Sequence, residues 1–352
     1  RYQKRAAARR RRNTIFIMEI VLLLILAVVL FFMSKLSKIE KTKLDMDKIE
    51  VNEDISQESQ KIMKGYQTIA MFGLDNRSNG NLSQGRSDVI MLANINNDTK
   101  EVKLVSVYRD TYLDTGDGIF QKCNAAYAKG GPEQAISMLN VNLDLNITDY
   151  VTVDFNSIIE CVDLLGGVDM EITDDEASLM IGYIRELNEL TGNKAENLTQ
   201  GGTYTLNGVQ ACAYARIRYG GGDDYRRTER QRTVLTAMVK KAQQSDLTTV
   251  NKLINEVCGD IQTSFSNAEL LALASQVFQY SIGDTTGFPF TKTTKVLSKK
   301  TGDVVIPCDL SDNVKELHIF LYEDSAYTVS DTVKQNSEKI VSDTGFKSGD
   351  GH

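Results

Sequence analysis

The chain has 352 residues, of which 41% are hydrophobic, and a net charge of −7 at pH 7. This length suffices to bury one sizeable core or two small ones. Residues 1–12 hold seven basic residues and no acidic one, so the remainder, with 33 basic against 47 acidic residues, repels phosphates and is not expected to bind nucleic acid.

The first predicted element is a membrane-spanning helix at residues 14–33, TIFIMEIVLLLILAVVLFFM. About 20 apolar residues span a bilayer, whereas a cleaved signal peptide has a shorter apolar region followed by a small-x-small site, which this chain lacks. Residues 1–13 are then a basic cytoplasmic segment, because basic residues favour the inner side. The polar residues 34–65 are predicted to be a stalk outside the membrane.

Residues 66–323 are predicted to form the folded domain. YQTIAMFGLD is typical of a strand, and DVIMLANINNDTKEVKLVSVYRD of a β-hairpin that turns at NNDTK. A helix with Pro132 in its first turn follows, then the strand DYVTVDF, a short helix capped by Asn156 and the strand VDMEI. This order predicts an α/β fold with a mixed central β-sheet flanked by helices, an α-β-α sandwich.

The rest of the domain is predicted to begin with a helical polar region at residues 174–200. The segment that contains Arg216 and Arg218 is expected to be strand-like, and RRTERQRTVLTAMVKKAQQ to be a helix. GDVVIPCDLSDNVKELHIFLY, which includes His318, is expected to close the domain with extended chain. The polar residues 324–352 are predicted to be a flexible tail.

Composition excludes several kinds of catalytic site. The chain has two histidines, one of them the terminal His352, and no GxSxG, HExxH or Walker A motif. Five cysteines without a CxxC pair argue against a structural zinc and a disulfide framework, although one bridge, for instance between Cys258 and Cys308, stays open. An enzyme of this composition would use carboxylates, arginines and a metal ion.

Two aspartates flank a loop rich in glycine, serine and asparagine, GLDNRSNGNLSQGRSDVIM. The loop leaves one strand and returns to its neighbour, so Asp75 and Asp88 are expected to meet at adjacent strand ends. Paired carboxylates in that position suit Mg²⁺, or Mn²⁺, with phosphate oxygens as further ligands. From these residues alone, an ordinary polar hairpin loop with solvated charges is the favoured interpretation of the segment.

Six arginines and no lysine occur in RIRYGGGDDYRRTERQR, residues 216–232. Arg216 and Arg218 would share one face of a strand. Three residues of the following helix would lie on a common surface: Arg227, Arg230 and Gln231. Because a guanidinium pairs with phosphate through two parallel hydrogen bonds, this cluster and Arg109 in SVYRDT predict a pyrophosphate site that stabilises a departing oxyanion.

Over residues 66–245 the chain resembles the LytR-CpsA-Psr family of membrane-anchored bacterial cell-wall proteins. The resemblance rests on the order and spacing of five runs: LDNR…GRSDVIML, VKLVSVYRDTYL, KCNAAYAKGGPEQAISML, YVTVDFNSIIECVDLLGGVDMEI and LNGVQACAYARIRY…DDYRRTERQR. It implies a transferase that moves a glycopolymer from a polyprenyl-pyrophosphate carrier to peptidoglycan. It also implies a single-pass protein of the bacterial cell membrane, with a cytoplasmic N-terminus, a catalytic domain outside, and a lipid tunnel between sheet and helices.

The resemblance further implies roles for individual residues. Asp75 and Asp88 would hold Mg²⁺ and, with Arg109, would be the catalytic residues. The implied pyrophosphate-binding set is Arg86, Arg109, Arg216, Arg218, Arg227 and Gln231. Residues with less defined roles in the same motifs are Arg77, Lys122, Asn124, Asp224 and Arg230. Tyr108 departs from the family's usual proline, and Cys123 from its usual aliphatic residue.

Two other functions are compatible with the same residues. With water in place of the sugar hydroxyl, the site would belong to a polyprenyl-pyrophosphate hydrolase. Without turnover, the protein would be a binding or regulatory protein for a lipid-linked precursor. In the transferase, either an aspartate or the metal would activate the attacking hydroxyl.

Overall fold

The computed structural model describes residues 40–41, 44–74, 82, 85–218, 223–246, 249, 252–253 and 261–351. The predicted cytoplasmic segment 1–13, the predicted membrane-spanning helix 14–33 and Cys258 lie outside these ranges. Within them, every helix is too short or too polar to cross a bilayer.

The described chain contains both strands and helices. The strands are β1 Glu40–Lys41, β2 Tyr66–Leu74, β3 Ser87–Asn96, β4 Glu101–Val107, β5 Tyr112–Asp114, β6 Phe120–Lys122, β7 Asp149–Asp154, β8 Val168–Ile172, β9 Gly202–Leu206, β10 Ile261–Thr263, β11 Ser281–Phe288, β12 Lys292–Ser298 and β13 Gly302–Pro307. The α-helices are α1 Gln57–Met63, α2 Ala125–Leu143, α3 Phe155–Leu164, α4 Asp174–Thr191, α5 Gly208–Arg216, α6 Asp223–Gln244, α7 Asn267–Ser275, α8 Leu310–Tyr322 and α9 Asp331–Thr344.

Seven strands form one mixed sheet in the order β1-β10-β7-β2-β3-β4-β11. The central β2–β3–β4 meander is antiparallel, and β7 and β11 are parallel neighbours of β2 and β4. The β3–β4 hairpin turns at the predicted NNDTK segment, where Lys100 adopts the left-handed conformation. The carboxyl ends of β2, β4, β7 and β11 therefore meet the start of β3 at one edge of the sheet.

Helices cover both faces of the sheet, which confirms the predicted mixed sheet flanked by helices. On one face, side chains such as Phe72 and Val105 pack against α2, α8 and α9. On the other face, Met91 and Leu104 pack against residues of α6 and α7. Strand side chains point alternately to the two faces of the sheet, and helices cover both faces. The central strands are therefore apolar on both sides.

A second group of elements packs beside α6. Helices α3, α4 and α5 and the two-stranded antiparallel β8–β9 sheet share a core with α6 that includes Cys212 and Val234. A Cβ on Gly208, the first residue of α5, would lie 2.1 Å from the carbonyl oxygen of Ile159. Only glycine permits this approach, which fixes α5 against α3 and so positions Arg216 at the end of α5.

A buried carboxylate ties the two ends of the described chain together. Asp144, at the end of α2, is fully buried and accepts hydrogen bonds from Asn52 Nδ2 at 2.5 Å, from Ser330 N at 2.8 Å and from the Tyr327 hydroxyl. The Tyr327 ring stacks on His318 with centroids 3.6 Å apart. Burial lowers the pKa of His318 to about 4. This Asp144 node fastens the segment before β2 and the C-terminal helices to the same side of α2.

Two segments that were expected to lie outside the domain are part of it. The described portion of the predicted stalk 34–65 packs against α2, and the predicted flexible tail 324–352 contains α9. Together they place seven buried side chains in the main core, namely Ile49, Ile55, Met63, Tyr327, Val329, Val333 and Ile340. On average these two segments are polar, so their few apolar residues did not predict a buried element. The partners of these residues are remote in sequence.

Three local predictions are wrong. Arg216 ends helix α5 rather than lying in a strand, and His318 lies within helix α8. Asp154, not Asn156, caps α3, because its carboxylate accepts the Ser157 N–H at 2.9 Å in a capping box. In each case, the contacts that the helix makes with the rest of the protein or with its capping residue outweigh the preference indicated by the short local sequence pattern.

Candidate functional site

Charged side chains gather at the sheet edge where β4 ends and β3 begins. Arg109 NH1 donates to Asp88 Oδ1 at 2.5 Å. Arg109 Nε lies 3.7 Å from Asp110 and 3.9 Å from Asp224, distances of ion pairs rather than hydrogen bonds. Burial lowers the pKa of Arg109, but the three carboxylates outweigh this and raise the pKa overall, so the guanidinium stays charged.

The first turn of α6 supplies a second, deeper arginine. Arg227 is 2% exposed; its NH2 lies 2.8 Å from Asp224 Oδ1 and 3.4 Å from the carbonyl oxygen of Asp88. The Nε of Arg227 and the Oδ2 of Asp224 are both buried and make no hydrogen bond within the described chain. The two side chains thus keep unused hydrogen-bonding capacity at the centre of the cluster.

The cluster of Arg109, Arg218 and Arg227 favours an added anion. Burial, together with the nearby charges of Arg109 and Arg218, lowers the pKa of Arg227 to about 10, although Asp224 and Asp88 oppose this shift. Arg109 pairs with Asp88, and both Arg109 and Arg227 lie within ion-pair distance of Asp224. A phosphate-like oxyanion would relieve their repulsion and the cost of their burial.

The backbone that carries Arg109 is held by the start of α2. The N–H of Asn124 donates to the Arg109 carbonyl oxygen at 3.1 Å, and the Cys123 thiol lies 3.3 Å from the same oxygen. Lys122 pairs with Asp110 at 2.9 Å. Asn124 and Cys123 therefore position Arg109 through its main chain, and Lys122 stands beside the cluster.

Tyr108 gives the segment before Arg109 its own packing. Its N–H donates to the Phe288 carbonyl oxygen at 3.0 Å, a bond that proline, the family's usual residue here, cannot make. Its ring lies 4.6 Å from that of Tyr225. A Cβ on Gly287 would come within 2.1 Å of the Tyr108 hydroxyl oxygen, so glycine is required beneath it.

Two of the predicted binding residues form ion pairs with glutamates of α4. Arg216 pairs with Glu186 at 3.2 Å and lies over the ring of Phe155. Arg230 pairs with Glu176 at 3.1 Å. Both hold α4 against α5 and α6, and the common surface predicted for Arg230 with Arg227 and Gln231 is absent. Arg86 is exposed at the start of β3.

The structure describes one of the two aspartates that were predicted to bind a metal ion. Asp88 lies in the cluster, whereas Asp75 and Arg77 lie outside the described residues. The last residue of β2, Leu74, pairs with Ser87, the neighbour of Asp88. Across the part of the chain that the structure describes, no three acidic, histidine or cysteine side chains are grouped as metal ligands.

An apolar cavity of about 120 Å³, partly open to solvent, lies between the sheet and α6. Its walls include Met71, Val89, Val151, Ile158, Leu235 and Met238. Val89 follows Asp88 in β3, and the wall residue Gln231 lies one helical turn after Arg227, so the cavity adjoins the arginine cluster. A Cβ on Gly73 would lie 2.8 Å from Val89, and glycine therefore helps to keep this space open.

The family resemblance implied a lipid tunnel between the sheet and the helices, but it did not identify the residues that line the tunnel. Two signals were available in the sequence. The strands β2 and β3 are apolar on both faces, and α6 carries Val234, Leu235 and Met238 at helical spacing next to its arginines. Apolar side chains on both sides of one gap indicate either a packed core or a binding cavity.

A buried arginine cluster beside an apolar cavity defines a protein that can hold an amphiphile by an anionic head group and a hydrocarbon chain. The model of the LytR_cpsA_psr family matches residues 26–295 of this chain. The chain therefore belongs to the LytR_cpsA_psr family.

Curated relatives and solved structures extend the comparison. The chain is 30% identical over 210 residues to the polyisoprenyl-teichoic acid–peptidoglycan teichoic acid transferase TagU of Enterococcus faecalis, which covers 59% of this chain and 64% of that protein. For this and two further relatives, the match spans 48% to 64% of the relative's own length.

Two solved structures of TagT share the fold. TagT bound to LI-WTA superposes with a TM-score of 0.60 at 22% identity, covering 80% of this chain and 99% of that one. YwtF (TagT) with bound octaprenyl pyrophosphate lipid has a TM-score of 0.54 at 22% identity, covering 74% and 92%. At this identity the likeness establishes the fold.

Proposed function

We propose that this protein is a membrane-anchored transferase that moves a glycopolymer from a polyprenyl-pyrophosphate carrier to peptidoglycan. The observation that carries the proposal is the contiguity of the apolar cavity and the arginine cluster, which join between Gln231 and Arg227 on one face of α6. The names of the relatives agree with it, since TagU is a teichoic acid transferase and a TagT structure holds octaprenyl pyrophosphate.

Different residues of the chain bind different parts of the substrate. The polyprenyl chain lies in the cavity, and Arg109, Arg218 and Arg227 bind the pyrophosphate oxygens. An acceptor sugar hydroxyl attacks the phosphorus that carries the glycopolymer; a new phosphorus–oxygen bond forms, and the bond to the bridging oxygen breaks. Polyprenyl phosphate departs, and the arginines stabilise the charge that develops on it. The hydroxyl proton passes to a carboxylate, for which Asp88 and Asp224 are the described candidates.

Mg²⁺, or Mn²⁺, fits the carboxylate side of this cluster. Asp224 Oδ2 is buried without a hydrogen-bond partner in the described chain, and Asp88 lies across the same arginines. Together with Asp75, these residues would supply the oxygen ligands that a hard divalent cation prefers beside phosphate. When bound, the ion supplies further neutralisation of the phosphate charge.

The proposed location is the outer face of a bacterial cell membrane, with residues 14–33 as a single anchor. A carrier whose hydrocarbon chain lies in a bilayer is accessible to a domain that is held at that surface. The peptidoglycan acceptor is then on the same side as the domain.

The test uses the full chain in detergent micelles with an octaprenyl-pyrophosphate disaccharide, a peptidoglycan oligomer and Mg²⁺. We expect mass spectrometry to detect phosphodisaccharide on the oligomer, with loss of product in Arg109→Ala and little change in Arg226→Ala, whose side chain is exposed. Cleavage without attachment to the oligomer would instead indicate a hydrolase. An unchanged substrate, with or without metal, would identify a binding protein and overturn the proposal.

A further inference from the structure

A lysine stands on the far side of the arginine cluster from the apolar cavity. Lys292 begins β12, and its Nζ lies 4.7 Å from the ring centroid of Tyr225 and 5.4 Å from that of Tyr108. Both tyrosines border the cluster, because Tyr108 precedes Arg109 and Tyr225 follows Asp224 in the chain. Lys292 is thus one side chain away from the proposed pyrophosphate site.

The ammonium of Lys292 has no carboxylate in ion-pair contact among the described residues. Its Nζ donates to the Phe290 carbonyl oxygen at 3.2 Å and otherwise faces the two rings. Lys122, on the neighbouring wall of the site, is by contrast paired with Asp110. Burial lowers the pKa of Lys292, as expected for a partly desolvated cation without a close counter-ion.

A second cation reinforces the positive potential beneath the same tyrosines. Arg232 is 8% exposed, and its Nε and NH1 make no hydrogen bond within the described chain. Its charge opposes the rise in the pKa of Tyr108 that burial causes, so the guanidinium lies near the Tyr108 hydroxyl. The negative charges of Asp224 and Glu229 act on Tyr108, and those of Asp224 and Asp303 act on Tyr225.

The strand order gives these features a linear arrangement. The cavity lies over β7, β2 and β3, the arginine cluster lies where β3 and β4 meet, and Lys292 follows β11, two strands beyond β3. Neighbouring strands are about 4.8 Å apart, so β11, which leads to Lys292, lies on the order of 10 Å from β3 at the border of the cavity. A carrier with its lipid in the cavity and its pyrophosphate on the arginines would direct its saccharide toward Lys292.

The hairpin that carries Lys292 is built into this wall of the site. Val305 on β13 donates from its N–H to the Asp110 carbonyl oxygen at 2.9 Å. The family match ends at residue 295, within this hairpin. Lys292 therefore lies within the family match, whereas its partner strand β13 lies beyond it.

We propose, on the basis of the transferase function above, that Lys292 forms a second anion subsite for a charged group on a saccharide. Two sources offer this chemistry: a phosphodiester of the transferred glycopolymer and the carboxylate of an N-acetylmuramic acid unit in the acceptor. The ammonium, held over Tyr108 and Tyr225, forms a charge-assisted hydrogen bond with the oxyanion, and Arg232 adds attraction from below.

The test measures binding rather than turnover, by calorimetry of the full chain in detergent. The probes are a phosphodiester-linked disaccharide, a disaccharide of N-acetylglucosamine and N-acetylmuramic acid, an uncharged analogue of each, and inorganic pyrophosphate. The variants are Lys292→Gln, Lys292→Arg and a matched control, Lys295→Gln. Lys295 lies on the same strand, but its Nζ donates to the Thr344 carbonyl oxygen and lies over Phe346.

We expect Lys292→Gln to weaken one charged disaccharide by roughly ten-fold, with pyrophosphate and the uncharged analogues unaffected. Lys292→Arg should restore binding, and Lys295→Gln should match wild type. Loss with the phosphodiester assigns the subsite to the donor, and loss with the muramic acid disaccharide assigns it to the acceptor. If Lys292→Gln binds both charged probes as wild type does, the subsite is overturned. Transfer activity is scored separately, so the failure of either proposal is distinguishable from that of the other.

Discussion

Arg227 and Gln231 lie one turn apart on α6, and the boundary between a charged and an apolar environment falls between them. Arg227 is buried in the cluster, whereas Gln231 faces the cavity with an Oε1 that accepts no hydrogen bond within the described chain. One turn of helix rises about 5.4 Å. The same helix therefore contacts both the proposed head group and the first carbons of the proposed lipid.

Replacing Arg227 by methionine should weaken the binding of inorganic pyrophosphate by roughly 30-fold, because a desolvated charge-assisted hydrogen bond is lost. Arg226→Met is the matched control, since its neighbouring side chain is exposed. Calorimetry on both variants checks the prediction. Equal losses would mean that general surface charge, rather than the buried guanidinium, holds the anion.

Removing the charge of Asp224 should have the opposite effect on binding. In Asp224→Asn, Arg109 and Arg227 lose a competing carboxylate, so pyrophosphate affinity measured in EDTA should rise several-fold. Transfer activity with Mg²⁺ should fall, because the proposed cation and proton acceptor are weakened. Asp98→Asn, in the exposed β3–β4 turn, should change neither quantity. A fall in both for Asp224→Asn would indicate that this carboxylate mainly orients Arg227.

Filling the cavity should separate lipid binding from anion binding. Leu235→Trp adds volume to the wall formed by α6, whereas Leu235→Met conserves it. We expect the tryptophan variant to lose affinity for octaprenyl pyrophosphate while keeping its affinity for inorganic pyrophosphate. Fluorescence competition and calorimetry measure the two affinities. Unchanged lipid affinity would place the hydrocarbon chain elsewhere.

His318 should make the fold sensitive to mild acid. Burial lowers its pKa from 6.5 to about 4, despite the opposing charges of Asp144 and Asp324, so between these values the unfolded chain binds a proton that the folded protein does not. Stability is thus complete above pH 6.5 and is lost as the pH falls toward 4. From pH 7 to 5 this residue should cost about 2 kcal/mol in the free energy of unfolding. Urea titrations of wild type and His318→Gln should show a correspondingly smaller loss in the variant.

The Asp144 node should contribute to stability more than any exposed ion pair. Asp144→Ala leaves the Tyr327 hydroxyl, the Ser330 N–H and the Asn52 amide without their buried acceptor, which should cost about 3 kcal/mol. Asp331→Ala removes a carboxylate that is 75% exposed and should cost less than about 1 kcal/mol. Scanning calorimetry compares the two. A similar, small cost for both would show that solvent satisfies the donors of the node.

The central sheet was predictable because its signals are local. The apolar runs of β2, β3 and β4 and the NNDTK turn each lie within about ten residues. The antiparallel pairing of β3 with β4 then brings Asp88, at the start of β3, beside Arg109, which follows the end of β4. The sequence pattern did not distinguish the arginines of the cluster from those held elsewhere. Arg216 and Arg230 each pair with a glutamate on α4, and those pairings depend on how three helices pack.

The features that were missed depend on contacts between distant parts of the chain. Lys292 reaches Tyr108 and Tyr225 only after the β12–β13 hairpin has docked on the segment beside Asp110. The same holds for the segment before β2 and for helix α9, because each contributes only a few apolar residues to the core. Mean polarity describes such segments poorly, because their burial is decided by a small number of remote partners.

The Asp144 node also imposes an order on folding during synthesis. Asn52 and Ser330 are 278 positions apart, yet they are joined through one carboxylate and to each other at 3.2 Å. The segment around Asn52 must therefore wait for the last of its buried partners until the residues just before α9 have been made. A chain that stops short of Ser330 would leave Asn52 and Asp144 each without a partner that they have in the folded domain, and would leave this segment more open to proteases.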